Sequence, residues 1–278
     1  MTATLARIWG SGTGRLGLVL VVLVVLGALL APLIAPHDPN QIAVMNRFSG
    51  PTLQNPLGTD QLGRDIFSRL LYGTRIALGV SILSILIAFV AGLLLGIAAA
   101  YLPPRLERVI LIIFDIISSF PSLVLALAVV ALLGPGLWKI ILIVSVTLVP
   151  HFGRVARAQT LALKNSPFLE AERVLGASPA RLVLVHIVPN VSGPLVVLAS
   201  MDIPVVIAIE AGLSFLGVGV PPPSPSWGTL LNDGYAYLDQ SIWMAVFAGL
   251  ALTIATLGFT LFGEALRDAV DPKLRTEQ

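Results

Sequence analysis

With 278 residues, 17 basic against 15 acidic side chains and a mean hydropathy of +0.93, the chain is too apolar for a soluble domain. Only 12% of residues are charged, about half the share usual in soluble proteins, which indicates an integral membrane protein with little room for a separate soluble domain. The absence of cysteine excludes disulfides and thiolate metal sites, and the pI of 9.2 reflects where topology puts the basic residues rather than affinity for nucleic acid.

A helix of about 20 apolar residues crosses a bilayer, and the chain offers six such windows, predicting an all-α membrane protein. Residues 1–35 read as a short N-terminal tail and a first span, Leu16–Ile34. A cleaved signal peptide is the competing reading, but the apolar stretch is too long and Pro32 and Pro36 sit where small residues should precede cleavage. Residues 36–75 form a second unit. Pro36, Pro39, Gly50, Pro51, Pro56 and Gly58 make its start turn-rich. Its end places Ile66, Phe67, Leu70 and Leu71 on one helical face, with Arg64, Asp65, Ser68 and Arg69 mostly opposite, predicting a helix lying in the membrane interface.

Residues 76–278 then supply a five-helix core. Its spans are Ile76–Tyr101, then Val109–Leu133 interrupted by Asp115, then a short Ile140–Gly153 extended by Leu137, Trp138 and a snorkelling Lys139. Ile187–Val218 carries Asp202, Pro204 and Glu210, and Ile242–Gly263 carries no charge. Between the last two, Pro221–Pro225 cannot be helical, and Trp227, Tyr235 and Tyr237 suit an aromatic belt at the membrane surface.

Six spans put both termini on one side. If that side is cytoplasmic, Arg7, Arg15, Arg105, Arg108, Arg154, Arg157, Lys164, Arg173, Arg181, Arg267, Lys273 and Arg275 lie inside, against Arg47, Arg64, Arg69, Arg75 and Lys139 outside. The positive-inside rule selects this orientation. It places residues 164–186, a charged module between two spans, in the cytoplasm. There Ser166-Pro167 and Ser178-Pro179 each read as a hydroxyl N-cap followed by proline at the first helical position. Glu170 falls in the first turn of a helix of roughly nine residues, ~13 Å long. Gly176 suits the left-handed C′ position that ends it. Phe168, Ala171, Val174 and Leu175 share one face, the shape of a part that docks into a groove on another protein.

Carboxylates inside spans are costly and mark a pathway, a relay or an inter-helix pair. Asp115, Asp202 and Glu210 therefore either line a translocation path or tie the bundle together through hydrogen bonds. Asp202 and Glu210 are two turns apart on one face, with Pro204 kinking the helix between them. Enzymatic signatures are missing. The three lysines, Lys139, Lys164 and Lys273, follow Trp138, Leu163 and Pro272, so none completes a phosphate-binding P-loop. HExxH and GxSxG motifs are also absent, and His37, His151 and His186 are too scattered for a metal site. His186 reads as a structural polar contact.

Several segments together resemble the C-type permease subunit of dipeptide/oligopeptide (peptide/nickel) ABC importers. Glu170-Ala171-Glu172, Gly176 and His186-Ile187-Val188-Pro189 look like the EAA loop of importer permeases. Asn55–Asp65 followed by Leu70–Arg75 is similar to the subfamily's external segment, Glu210–Gly219 with Ser226-Trp227-Gly228 to its fifth span and loop, and Leu266–Arg275 to its C-terminus. Glu172 departs from the second alanine of EAA, and His186 from the general loop ending, though histidine is frequent there in the peptide branch. The resemblance implies a type I ABC importer permease fold with six transmembrane helices. It implies ATPase coupling through Phe168, Glu170, Ala171, Gly176, Ala177 and Arg181. It further implies a bacterial inner-membrane location and no cofactor on this chain, ATP being bound by two cytoplasmic ATPase subunits. A homologous second permease and an extracytoplasmic substrate-binding protein complete the assembly. A stand-alone transporter coupled to ions through Asp115, Asp202 and Glu210 is the alternative, and would call for inverted repeats that the chain does not display.

Overall fold

The computed structural model describes residues 2–270, and side chains from residue 6 onward. Lys273 and Arg275, and with them the end of the Leu266–Arg275 resemblance, lie outside the described residues.

Regular structure among the described residues is helical, apart from one isolated bridge between Thr59 and Asp65. The helices are α1 (Thr2–Gly10), α2 (Gly12–Ile34), α3 (Ile66–Tyr101), α4 (Pro104–Ser118), α5 (Ser122–Leu133) and α6 (Leu137–Lys164). There follow α7 (Pro167–Val174), α8 (Pro179–Arg181), α9 (Val188–Phe215), α10 (Trp227–Ala236) and α11 (Trp243–Val270). A π-helical turn, Leu182–Ile187, joins α8 to α9 in one continuous stretch. Among the described residues five helical stretches are long and apolar enough to cross a membrane, and α4 with α5 makes a sixth if counted as one broken span.

The third expected span needs correction. Asp115 does not interrupt it; α4 runs unbroken past Asp115, and the break falls at Ser119–Pro121, where the path bends by 85°. Pro121 lacks an amide hydrogen and disfavours helical geometry at Phe120, while the Ser119 hydroxyl donates back to the Asp115 carbonyl at 2.7 Å.

Nor is the expected interfacial helix a separate element. Ile66 begins a 36-residue helix, ~54 Å long, that runs on through the expected second span. Its polar face is buried rather than solvated, because residues 36–65 fold over it. Asp65 caps α3 by accepting from Ser68 N at 2.7 Å, and Asn55 Nδ2 donates to the other Asp65 oxygen at 3.1 Å. Asp60 is fully buried; it accepts from the amides of Leu62 and Arg64 at 2.9 Å and from Arg64 Nε at 2.6 Å, with Arg69 Nε 3.5 Å away. Arg69 Nη1 donates to the Pro39 carbonyl at 3.0 Å.

Trp227 is likewise no belt residue. It is buried, and its Nε1 donates to the Leu70 carbonyl at 3.2 Å, locking the start of α10 against α3 beside Gly73. Ser226 and Thr229 form a capping box there. Tyr235 is exposed, and Tyr237 packs on Phe48 with ring centroids 5.3 Å apart.

Two apolar centres hold the bundle. One joins α3, α6 and α9 through Leu93, Ile97, Val144, Phe152, Val191 and Leu195; the other joins α2, α3, α10 and α11 through Val24, Leu78, Trp227 and Phe259. Close approach of α3 to α6 depends on glycine. A Cβ on Gly92 would lie 2.5 Å from Phe152 Cβ, and one on Gly96 would lie 2.6 Å from Ala156 Cβ. Small residues at such crossings let helices pack without a side chain between them. At one end, Ile8 of α1 packs on Ala265 and Ala269 of α11, so the N-terminal helix and the end of the last helix lie together.

Candidate functional site

Residues 164–187 form the predicted helix–turn–helix. α7 starts at Pro167 after Ser166 in extended geometry, but the Ser166 hydroxyl makes no cap bond; its carbonyl accepts from Leu169 N and Glu170 N instead. Ser178 does cap, accepting from Arg181 N at 3.3 Å. Gly176 has φ +85°, and Ala177 N donates to Glu172 O while Gly176 N donates to Arg173 O, both at 3.0 Å. This is a Schellman ending. A Cβ at Gly176 would meet open space, so backbone conformation alone selects glycine there.

The helix has two faces. Leu169 is fully buried, anchoring α7 to the bundle. Phe168, Ala171, Val174 and Leu175 are exposed, Val174 at 87% and Leu175 at 82%. Glu170 and Arg181 are exposed, and Ala177 is half-buried. The two departures from the family pattern face each other: His186 Nε2 lies 3.8 Å from Glu172 Oε2, with the His186 ring edge-on to Phe168. Arg173 Nη2 donates to the Lys164 carbonyl at 3.0 Å, tying α7 to the end of α6.

The three acids in apolar stretches have separate partners. Asp115 is exposed and pairs with Arg154 of α6 at 3.0 Å. Asp202 is buried, with His151 Nδ1 3.3 Å from its Oδ2. Glu210, fully buried, accepts from Ser214 Oγ at 2.7 Å, and Ser214 Oγ in turn accepts from Val220 N at 3.1 Å. Glu210 thus braces the turn after α9, whereas Asp202 links α9 to α6. Sequence reasoning missed His151, Arg154 and the Arg157–Glu107 pair as partners. The available signal was position: His151 and Asp202 each fall near the middle of their helices.

Residues 92–276 match the family described as binding-protein-dependent transport system inner membrane component, and residues 12–56 match the N-terminal TM domain of oligopeptide transport permease C. A putative peptide transport system permease protein of Brucella suis is 38% identical over 99% of this chain and 92% of its own length. A di/tripeptide transport system permease protein of Pseudomonas aeruginosa is 38% identical over 93% of this chain and 88% of its own. A glutathione transport system permease protein of Escherichia coli is 41% identical over 92% of this chain and 84% of its own. An inward-facing structure of the MetNI methionine ABC transporter shares the fold with a TM-score of 0.59 at 21% identity, covering 73% of this chain and 97% of that one. The chain therefore belongs to the binding-protein-dependent transport system inner membrane component family, the permease components of ABC importers, and not to the ion-coupled secondary transporters.

Proposed function

We propose that this permease carries peptides or similar small solutes across the bacterial plasma membrane and forms half of the translocation pathway beside a homologous second permease. Two cytoplasmic ATPase subunits bind and hydrolyse ATP, and an extracytoplasmic binding protein delivers the solute. The chain itself has no enzymatic activity. Relatives named for dipeptides, tripeptides and glutathione support this solute class. Coupling runs through α7, Gly176 and α8. The observation that carries this assignment is the exposed apolar face Phe168, Ala171, Val174 and Leu175 on a short helix fixed from behind by Leu169.

Both termini are cytoplasmic in this reading, with residues 36–65 outside. The chain has no cysteine, so a single cysteine reports orientation. In intact cells an impermeant thiol reagent is expected to label Leu53→Cys, at a fully exposed position, and to spare Ser178→Cys until the membrane is opened. Labelling of Ser178→Cys from outside would reverse the orientation.

Coupling is tested with Gly176→Asp and Glu170→Lys in the reconstituted importer. A side chain at φ +85° strains the turn by roughly 1 kcal/mol or more and redirects α7. Glu170→Lys puts a cation at the positive end of the α7 dipole. Both variants are expected to insert normally and to lose uptake, with ATP hydrolysis uncoupled or the ATPases no longer copurifying. Unchanged uptake and hydrolysis in both would remove this module from coupling.

A further inference from the structure

His151 and Asp202 meet at mid-height in the bundle, near the centres of α6 and α9, each helix having 28 residues. One turn away on the same side of α6, Arg154 pairs with Asp115 of α4. The side chains of His151, Arg154 and Asp115 are 49%, 48% and 66% exposed. Hydrocarbon cannot hydrate such groups, so this face meets water or protein and not lipid. Asp202 adds a buried carboxylate oxygen that makes no hydrogen bond of good geometry. Pro150 and Pro204 flank the pair, and each deprives a carbonyl one turn earlier of its helical donor. The groove formed by Ile82, Leu86, Phe89, Val196, Ile203 and Phe262 is by contrast apolar.

We propose that His151, Asp202, Arg154 and Asp115 line the aqueous route of the solute and contact its charged groups. This rests on the reading of the chain as half of a translocation pathway. A buried carboxylate at Asp202, a half-exposed imidazole at His151 and the half-exposed Arg154–Asp115 pair one turn nearer the cytoplasmic end of α6 set charges of both signs along one face, which suits the passage of a solute carrying an ammonium and a carboxylate.

The test uses single cysteines at Thr147 and Val205, one turn from His151 and Asp202, with Leu29→Cys on the exposed face of α2 as the reference. The importer, assembled with its partner subunits in proteoliposomes, is treated with methanethiosulfonates bearing a trimethylammonium or a sulfonate group. Thr147→Cys and Val205→Cys are expected to react about 10-fold faster than Leu29→Cys, because a charged cleft concentrates ionic reagents. Asp202→Asn is expected to lower the ratio of cationic to anionic rates at Val205→Cys by roughly 3-fold, and Arg154→Gln to raise it at Thr147→Cys. Rates no faster than the reference overturn the proposal. So does reaction in the permease alone that vanishes on assembly, which would assign this face to the partner permease. Charge ratios unmoved by both variants overturn the solute contact. None of these results bears on whether α7 couples to the ATPases, so failure here is distinguishable from failure of the importer reading.

Discussion

Asp60→Ala is expected to destabilise the folded chain by about 3–5 kcal/mol, because it strands buried cations. The carboxylate holds Arg64 at 2.6 Å and faces Arg69 at 3.5 Å, and both arginines are buried. It also satisfies the amides of Leu62 and Arg64. Removing it leaves these donors without an acceptor and frees the 36–65 segment from the start of α3. Asp60→Asn keeps one oxygen for the amides and should cost less, and Arg47→Gln at an exposed position should be nearly neutral. Thermal unfolding in nanodiscs with limited proteolysis of residues 36–65 gives the ranking. Equal midpoints for Asp60→Ala and Arg47→Gln would contradict it.

Gly96→Val is the second large effect. The added side chain would collide with Ala156 and with the backbone at Gly153 and Arg157, so α3 and α6 must move apart. Overpacking of this kind costs about 1–3 kcal/mol and sometimes more. Gly79→Ala, where a Cβ meets open space, is expected to be neutral or slightly stabilising. Thermal midpoints of the purified chain should separate the two variants clearly. A Gly96→Val protein as stable as Gly79→Ala would mean that the helices do not approach so closely.

Hydropathy locates the spans because burial in lipid selects on single residues and short windows. It does not locate the bend at Ser119–Pro121, since a bent pair and a straight span can have the same mean hydropathy. Local signals succeed at Ser178 and Gly176, where cap and turn depend on residues within one turn; the cap at Asp65 is equally local, but that residue reads from the sequence only as part of a polar helix face. They fail at Ser166, whose hydroxyl makes no cap bond because its carbonyl takes the Leu169 and Glu170 amides. Amphipathicity misleads at Arg64 and Arg69, where polar residues face a folded segment rather than water. Trp227 and Leu70 are 157 residues apart, and His151 and Asp202 belong to different helices, so neither contact has a local signature.

In the proposed mechanism α7 is the part of this permease that meets the ATPase. A photoreactive phenylalanine at Val174, the most exposed apolar position of that helix, tests it in the assembled importer. Illumination is expected to join the permease to an ATPase subunit, with a yield that changes when ATP is bound, while the same group at Leu53 gives no such product. Crosslinking from Val174 only to lipid or to the second permease would contradict that role for α7.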